Sequence, residues 1–213
     1  MSASASYNVV VFGEPGVGKT CFVDQFCYGR SFVLYNPGDD DRKHPILVDG
    51  QTTILTLMDL STSFLKPEQS MHSTDWAETI LAVADGVVLL YDVTSLQSFE
   101  YITNQAYRYL WGCRRFNSGR REGAEGDERD SFGCVLVGNK ADLTTENQAS
   151  RAVPRNLAED WALTQGIRSI EVDSLARAGP ESALELLVKN IWKLERLGLM
   201  SVKVVESKKL ISD

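Results

Sequence analysis

The octet Gly13-Glu14-Pro15-Gly16-Val17-Gly18-Lys19-Thr20 follows directly on the apolar run Val9-Val10-Val11-Phe12. A strand, a glycine-rich turn, then a lysine and a hydroxyl at the head of a helix is an order few folds can supply. The glycines omit side chains that would fill the turn, so successive backbone N–H groups can point inward and cradle phosphate oxygens. Lys19 is placed to bridge terminal phosphates. Thr20 opens a predicted helix over 19–28, whose N-terminus favours an anion, and its hydroxyl is a candidate ligand of Mg²⁺. The candidate phosphate contacts are therefore Gly16, Val17, Gly18, Lys19 and Thr20. Pro15 has no amide hydrogen to donate and stiffens the loop. A purely structural turn is the alternative reading, but the flanking strand and helix both suit the cradle.

Further apolar segments at 46–48, 54–58, 87–91 and 133–137 have the length and β-branched content of strands. Val87-Val88-Leu89-Leu90-Tyr91 and Cys134-Val135-Leu136-Val137 are continuous rather than alternating, as in strands covered on both faces by helices. Helices are predicted between them over 72–83, 96–115, 155–165 and 181–197. In the last, Leu184, Leu187, Val188, Ile191, Trp192 and Leu194 recur at three- and four-residue spacing. This alternation predicts a three-layer α/β domain. Asp49-Gly50 between two apolar runs is a hairpin signal, which adds one antiparallel edge to the sheet. Trp76, Trp111, Trp161 and Trp192 all fall in helical segments, where packing against the sheet is the expected role.

The chain of 213 residues is long enough for one domain with a substantial core. Its 22 basic and 29 acidic side chains leave a net charge of −7, against the basic face that nucleic-acid binding requires. The four cysteines, Cys21, Cys27, Cys113 and Cys134, form no Cys-x-x-Cys pair and lie far in sequence from His44 and His72, against structural zinc. Reduced thiols and an intracellular setting are expected. Residues 1–6 are read as a flexible start without signal-peptide character, 7–198 as the domain, 117–130 as a charged surface insertion and 199–213 as a tail. The acidic triplet Asp39-Asp40-Asp41 and helical Arg108, Arg114 and Arg115 are read as ordinary surface.

Two further groups belong with the glycine loop. Asp59 ends the run 54–58, and an aspartate at the carboxyl end of a strand beside the cradle could hold Mg²⁺ through water. Alone it would read as a turn former or helix cap. Asn139-Lys140-Ala141-Asp142 follows the buried strand 133–137, on the sheet edge where ligand sites of such folds gather. The Asp142 carboxylate can accept from the ring N–H and exocyclic amine of guanine, a pair adenine does not offer. Asn139 could reach the base and brace the glycine loop, and the Lys140 stem could cover the ring.

Together, GEPGVGKT, Asp59, VGNKAD at 137–142 and the phrase from Arg42-Lys43 to Val48-Asp49-Gly50 resemble a Ras-type small GTPase over about residues 7–197. The resemblance implies a six-stranded, mostly parallel sheet, with GTP or GDP and Mg²⁺ as ligands and two switch segments that respond to the γ-phosphate. It implies guanine contacts at Asn139, Lys140, Asp142 and the backbone amide of Ser174. It also implies an aromatic beside the base near Phe32, in a register certain to one residue.

The chain departs from that family at the parts that sense and cleave. The first switch usually carries a threonine after a Tyr-x-Pro phrase, where this chain reads Tyr35-Asn36-Pro37-Gly38 and lacks the hydroxyl. The second usually begins Asp-x-x-Gly-Gln, and here reads Asp59-Leu60-Ser61-Thr62-Ser63. Ser63 at the glutamine position is too short to orient water in the same way, so no catalytic residue is assigned. Asp173-Ser174-Leu175 replaces the usual Ser-Ala-Lys.

The expectation is a divergent GTP- or GDP-binding protein with weak or absent hydrolysis, acting as a signalling switch on a protein effector. The alternative is an interaction module whose nucleotide is structural. A different P-loop enzyme, such as a small kinase, fits poorly with NKAD and the lack of an arginine-rich lid. The ending Leu210-Ile211-Ser212-Asp213 has no cysteine for a prenyl group. The expected location is cytoplasmic, with a protein partner to hold the chain at any membrane it serves.

Overall fold

The computed structural model describes residues 5–30, 42–65, 74–117, 132–145 and 150–200. Phe32, Gly38, the acidic triplet, His72, most of the expected insertion and the tail from 201 lie outside the described residues.

Six strands form one sheet in the order β2-β3-β1-β4-β5-β6. They are β1 (Ser6–Gly13), β2 (Lys43–Val48), β3 (Gln51–Ser61), β4 (Gly86–Asp92), β5 (Gly133–Asn139) and β6 (Arg168–Glu171). Among the described strands only β2 and β3 pair antiparallel. Their turn is Asp49-Gly50, both with positive φ (46° and 78°), the backbone twist that a two-residue hairpin needs. The other pairs are parallel, as the continuous apolar strands predict. Every residue of β4 and β5 is buried.

Alternation along the strands feeds two apolar layers. On one face Val10, Phe12, Leu89, Tyr91 and Leu136 pack in a cluster with Leu81, Ile102, Leu110 and Ala158. These last come from α2 (Thr74–Val83), the long helical stretch 102–117 and α5 (Arg155–Thr164). On the other face Val9, Val11, Leu57, Val88 and Val135 meet α1 (Lys19–Tyr28) through Phe22 and α6 (Ala178–Arg196) through Leu187 and Ile191. Each large aliphatic side chain so buried contributes about 1.5–3 kcal/mol relative to exposure. The four cysteines are free thiols, and burial pushes that of Cys27 up to about 12.

Three local features depart from the sequence reading. The predicted helix 96–115 is α3 (Leu96–Tyr101), a π-helical turn (Ile102–Ala106) and α4 (Tyr107–Asn117) in succession. Within it the Thr103 hydroxyl donates to the Phe99 carbonyl at 2.7 Å, and the extra residue per turn keeps Ile102, Ala106 and Tyr107 all buried. Trp111 and Trp161 pack beside Tyr107 and Trp192 joins the other layer, but Trp76 is 50% exposed. Strand β6 was not among the segments predicted from residues. With four residues, Arg168-Ser-Ile-Glu171, none fully buried, it carries almost no apolar pattern.

Candidate functional site

The parallel strands bring Gly13, Asp59, Asp92 and Asn139 to one edge of the sheet. Gly13 lies opposite Ser61 and Leu90, and Asp92 opposite Asn139. A Cβ on Gly13 would stand 2.4 Å from the Leu90 carbonyl oxygen, so glycine is required for β1 to approach β4. The loop then turns through Gly16 (φ 84°) and Gly18 (φ 97°), conformations that side chains disfavour. Gly18 caps α1 without any side-chain hydrogen bond, which leaves first-turn amides for an anion. Val17 is buried and anchors the loop in the core. Lys19 is buried as well, and its Nζ donates to the Glu14 carbonyl at 2.7 Å. Burial pushes its ammonium pKa down, against the opposing charges of Asp59 and Glu14.

Asn139 ties this loop to the base-reading segments. It is 2% exposed. Its Nδ2 donates to the Val17 carbonyl at 2.8 Å, while its Oδ1 accepts from the Ser174 amide (3.2 Å) and hydroxyl (2.7 Å). A Cβ on Gly18 would stand 2.4 Å from the same Nδ2, so the loop touches this side chain directly. Lys140 takes a left-handed conformation (φ 63°) and pairs with Asp92. Burial pushes the Asp92 carboxyl up, but the hydrogen bonds from Lys140 and Thr94 outweigh that and hold it below the usual carboxylate range. Asp142 is the second residue of the 3₁₀ turn Ala141–Thr144 and is half-buried. Ser174 is buried, whereas Leu175, at the family's lysine position, is 61% exposed.

At the other end of the loop the Thr20 hydroxyl donates to Asp59 Oδ2 at 2.7 Å. The Arg42 guanidinium donates to Asp59 Oδ1, also at 2.7 Å. Burial pushes the Asp59 carboxyl up, but the bonds from Arg42 and Thr20 prevail and hold it low. Thr20 and Asp59 offer oxygens of the type Mg²⁺ takes. As arranged they do not fit the ion, because a fixed cation already pairs with the carboxylate that would hold its water. Ser63 is tied locally. Its amide donates to the Ser61 hydroxyl at 3.2 Å, and that hydroxyl donates to Ser63 Oγ at 3.1 Å. Thr62 is fully buried, and among the described residues its hydroxyl has no hydrogen-bond partner.

The chain matches the model of the Ras family over residues 8–193. The chain belongs to the Ras family. It is 33% identical over 165 residues to the mouse (Mus musculus) protein described as Ras-related protein Rab-44. That alignment covers 75% of this chain and 14% of the relative, so the chain spans about one seventh of the relative's length. The sheet with its single antiparallel pair is the fold expected of a Ras-like P-loop GTPase domain.

Sequence reasoning missed two site residues of this Ras-family domain. Asp92 carried a usable signal, since it follows an apolar run directly just as Asp59 does. Arg42 opens a phrase that resembles the family but gave no sign of a site role, because a basic residue before an edge strand normally faces water. A separate cleft of about 290 Å³ is lined by Tyr91, Arg155, Ala158, Glu159, Ser169, Ile170 and Glu171. No residue of the glycine loop lines it, and the Glu171 carboxylate is engaged by Arg151 and Arg155. Among the described residues no helix is long and apolar enough to cross a membrane.

Proposed function

We propose that this chain binds GTP or GDP, hydrolyses GTP slowly or not at all, and regulates a protein partner. The observation that carries the reading is the Asn139 node, which joins the glycine loop to the Ser174 segment through three hydrogen bonds. Phosphate-holding and base-reading parts are thereby one rigid unit. In this reading Gly16, Val17, Gly18, Lys19 and Thr20 hold the phosphates through amides, ammonium and hydroxyl. Asp142 accepts from the guanine N–H groups. In this reading Lys140 lies along the ring, the Ser174 amide, held here by Asn139, serves the base edge once a nucleotide displaces that bond, and an aromatic near Phe32 closes the other side.

Slow hydrolysis follows from Ser61–Ser63. No group there has the reach to orient an attacking water, and the Ser63 hydroxyl is held by Ser61. Buried Thr62 favours a second reading of the same site. A side chain anchored in the core resists the movement by which a switch reports the γ-phosphate, as expected of an interaction module with structural nucleotide. In either reading the chain works in the cytoplasm and a protein partner holds it at any membrane it serves.

Binding of a fluorescent guanine nucleotide, competed by GTP, GDP and ATP, tests the base assignment. Asp142→Asn exchanges an acceptor for a donor and should weaken guanine binding by roughly 10²-fold or more while improving xanthine binding. Equal binding of ATP by the unaltered chain would refute the guanine reading. Turnover of bound GTP separates the two functions. Persistent GTP supports the module, and measurable turnover with a partner that prefers one nucleotide state supports the switch.

A further inference from the structure

We infer that Arg42 supplies, between Thr20 and Asp59, the positive charge that a divalent cation would otherwise bring, so that nucleotide binding by this chain is largely independent of Mg²⁺. The inference rests on the guanine-nucleotide reading and deepens it at the phosphate end.

Three observations converge on the guanidinium. The first is its position. Asp59 lies opposite Val11 in the β1–β3 ladder, two residues before the pair Gly13–Ser61, and Thr20 from the first turn of α1 bonds to the same carboxylate. Arg42 therefore stands one carboxylate away from the hydroxyl that heads the phosphate-binding helix. Asp59 also acts electrostatically on Lys19, which puts all four groups in one charge cluster.

The second is how firmly Arg42 is held. Its carbonyl accepts from the Leu57 amide at 3.0 Å, immediately before the β2–β3 ladder begins at Lys43–Thr56. Its root is thus part of the sheet. The side chain is only 24% exposed, and the negative charge of Asp24 adds to the hold of Asp59. A divalent ion entering here would have to break a charge-assisted bond and then sit beside the displaced positive charge.

The third is charge balance. A carboxylate beside a di- or triphosphate repels it unless a cation intervenes. With Arg42 in place the Asp59 pair is neutral, and Glu14 is left as the other carboxylate acting on Lys19 beside the helix amides. The chain also has glycine at 38, where the first switch would offer a hydroxyl to the metal. Loss of that ligand and occupation of Asp59 by an internal cation point the same way.

The test measures the affinity of the 213-residue chain for fluorescent GDP in saturating Mg²⁺ and in excess EDTA. For the unaltered chain the two dissociation constants should agree within about threefold. Arg42→Ala should bind about 10- to 100-fold more weakly in EDTA and recover when Mg²⁺ is added, a dependence the unaltered chain lacks. Arg42→Lys keeps the charge and should remain insensitive to Mg²⁺, which gives a second variant if the alanine form does not fold. Electron paramagnetic resonance of Mn²⁺ gives an independent reading. The complex of the unaltered chain with GDP should hold Mn²⁺ no more tightly than free GDP does. A 10²-fold loss of GDP affinity in EDTA, or tight Mn²⁺ binding by the unaltered complex, would overturn the inference and leave the nucleotide reading standing. Absence of GDP and GTP binding in both buffers would overturn both.

Discussion

The two ends of the site are built on opposite principles. At the base end the polar hub is buried and hydrogen-bonded on both amide atoms, yet it keeps the Asp142 carboxylate apart. Asn139 bonds to Val17 and Ser174, Lys140 pairs with Asp92, and among the described residues Asp142 makes no side-chain hydrogen bond or ion pair. At the phosphate end the corresponding carboxylate, Asp59, is itself engaged on both oxygens. A ligand at the first end meets an available acceptor. A cation at the second meets a pair already neutral. On the reading proposed above, a carboxylate kept in place in a family site need not keep its role, because the role depends on what else reaches it.

Removing the hub should have the largest effect on stability. Asn139→Ala would orphan a buried amide, a hydroxyl and a carbonyl at once, and should lower unfolding free energy by about 2–4 kcal/mol in a denaturant titration. A loss below half a kcal/mol would mean that the base end is not the rigid one.

Thr62 tests the other end. Among the described residues its buried hydroxyl has no partner, so Thr62→Val keeps the shape and removes a desolvation cost. The variant should be stabilised by about 1 kcal/mol, read as a rise in melting temperature. A destabilised Thr62→Val would mean that the hydroxyl has work to do there, and would weaken the reading of the second switch as packed in place.

The smallest effect concerns Asp92. Its carboxyl pKa is lower in the folded chain than in the unfolded one, so the unfolded chain binds more protons in the window between the two values. The stabilisation from the Lys140 pair is therefore present above the unfolded value and lost as pH falls through the lower folded one. Lys140 is one-third exposed, and with screening the pair contributes about 0.5–1 kcal/mol. Asp92→Asn should remove that amount near neutrality and flatten the acid limb of the stability profile. An unchanged acid limb would show that Lys140 is not held by this charge.

Much of this protein could be read without coordinates. The strand–loop–helix order of 9–28, the hairpin at Asp49-Gly50 and the double-sided burial of 87–91 and 134–137 are short-range patterns, since chain geometry links their residues directly. Strand β6 escaped because an edge strand of four half-covered residues has no period to detect. The π-helical turn escaped because hydrophobic spacing does not register one added residue.

At the site the sequence by itself determined which chemical groups are available: a glycine-rich loop of the phosphate-cradling pattern, an aspartate read as a guanine contact, and a second switch segment without glutamine. Only the tertiary structure decided how those groups are committed. Arg42 reaches Asp59 across 17 residues, and Asn139 reaches Val17 across 122. Such pairings arise from strand order and helix packing, which set distances that no local pattern encodes. The burial of Thr62 is of the same kind, since a residue's identity does not state what covers it.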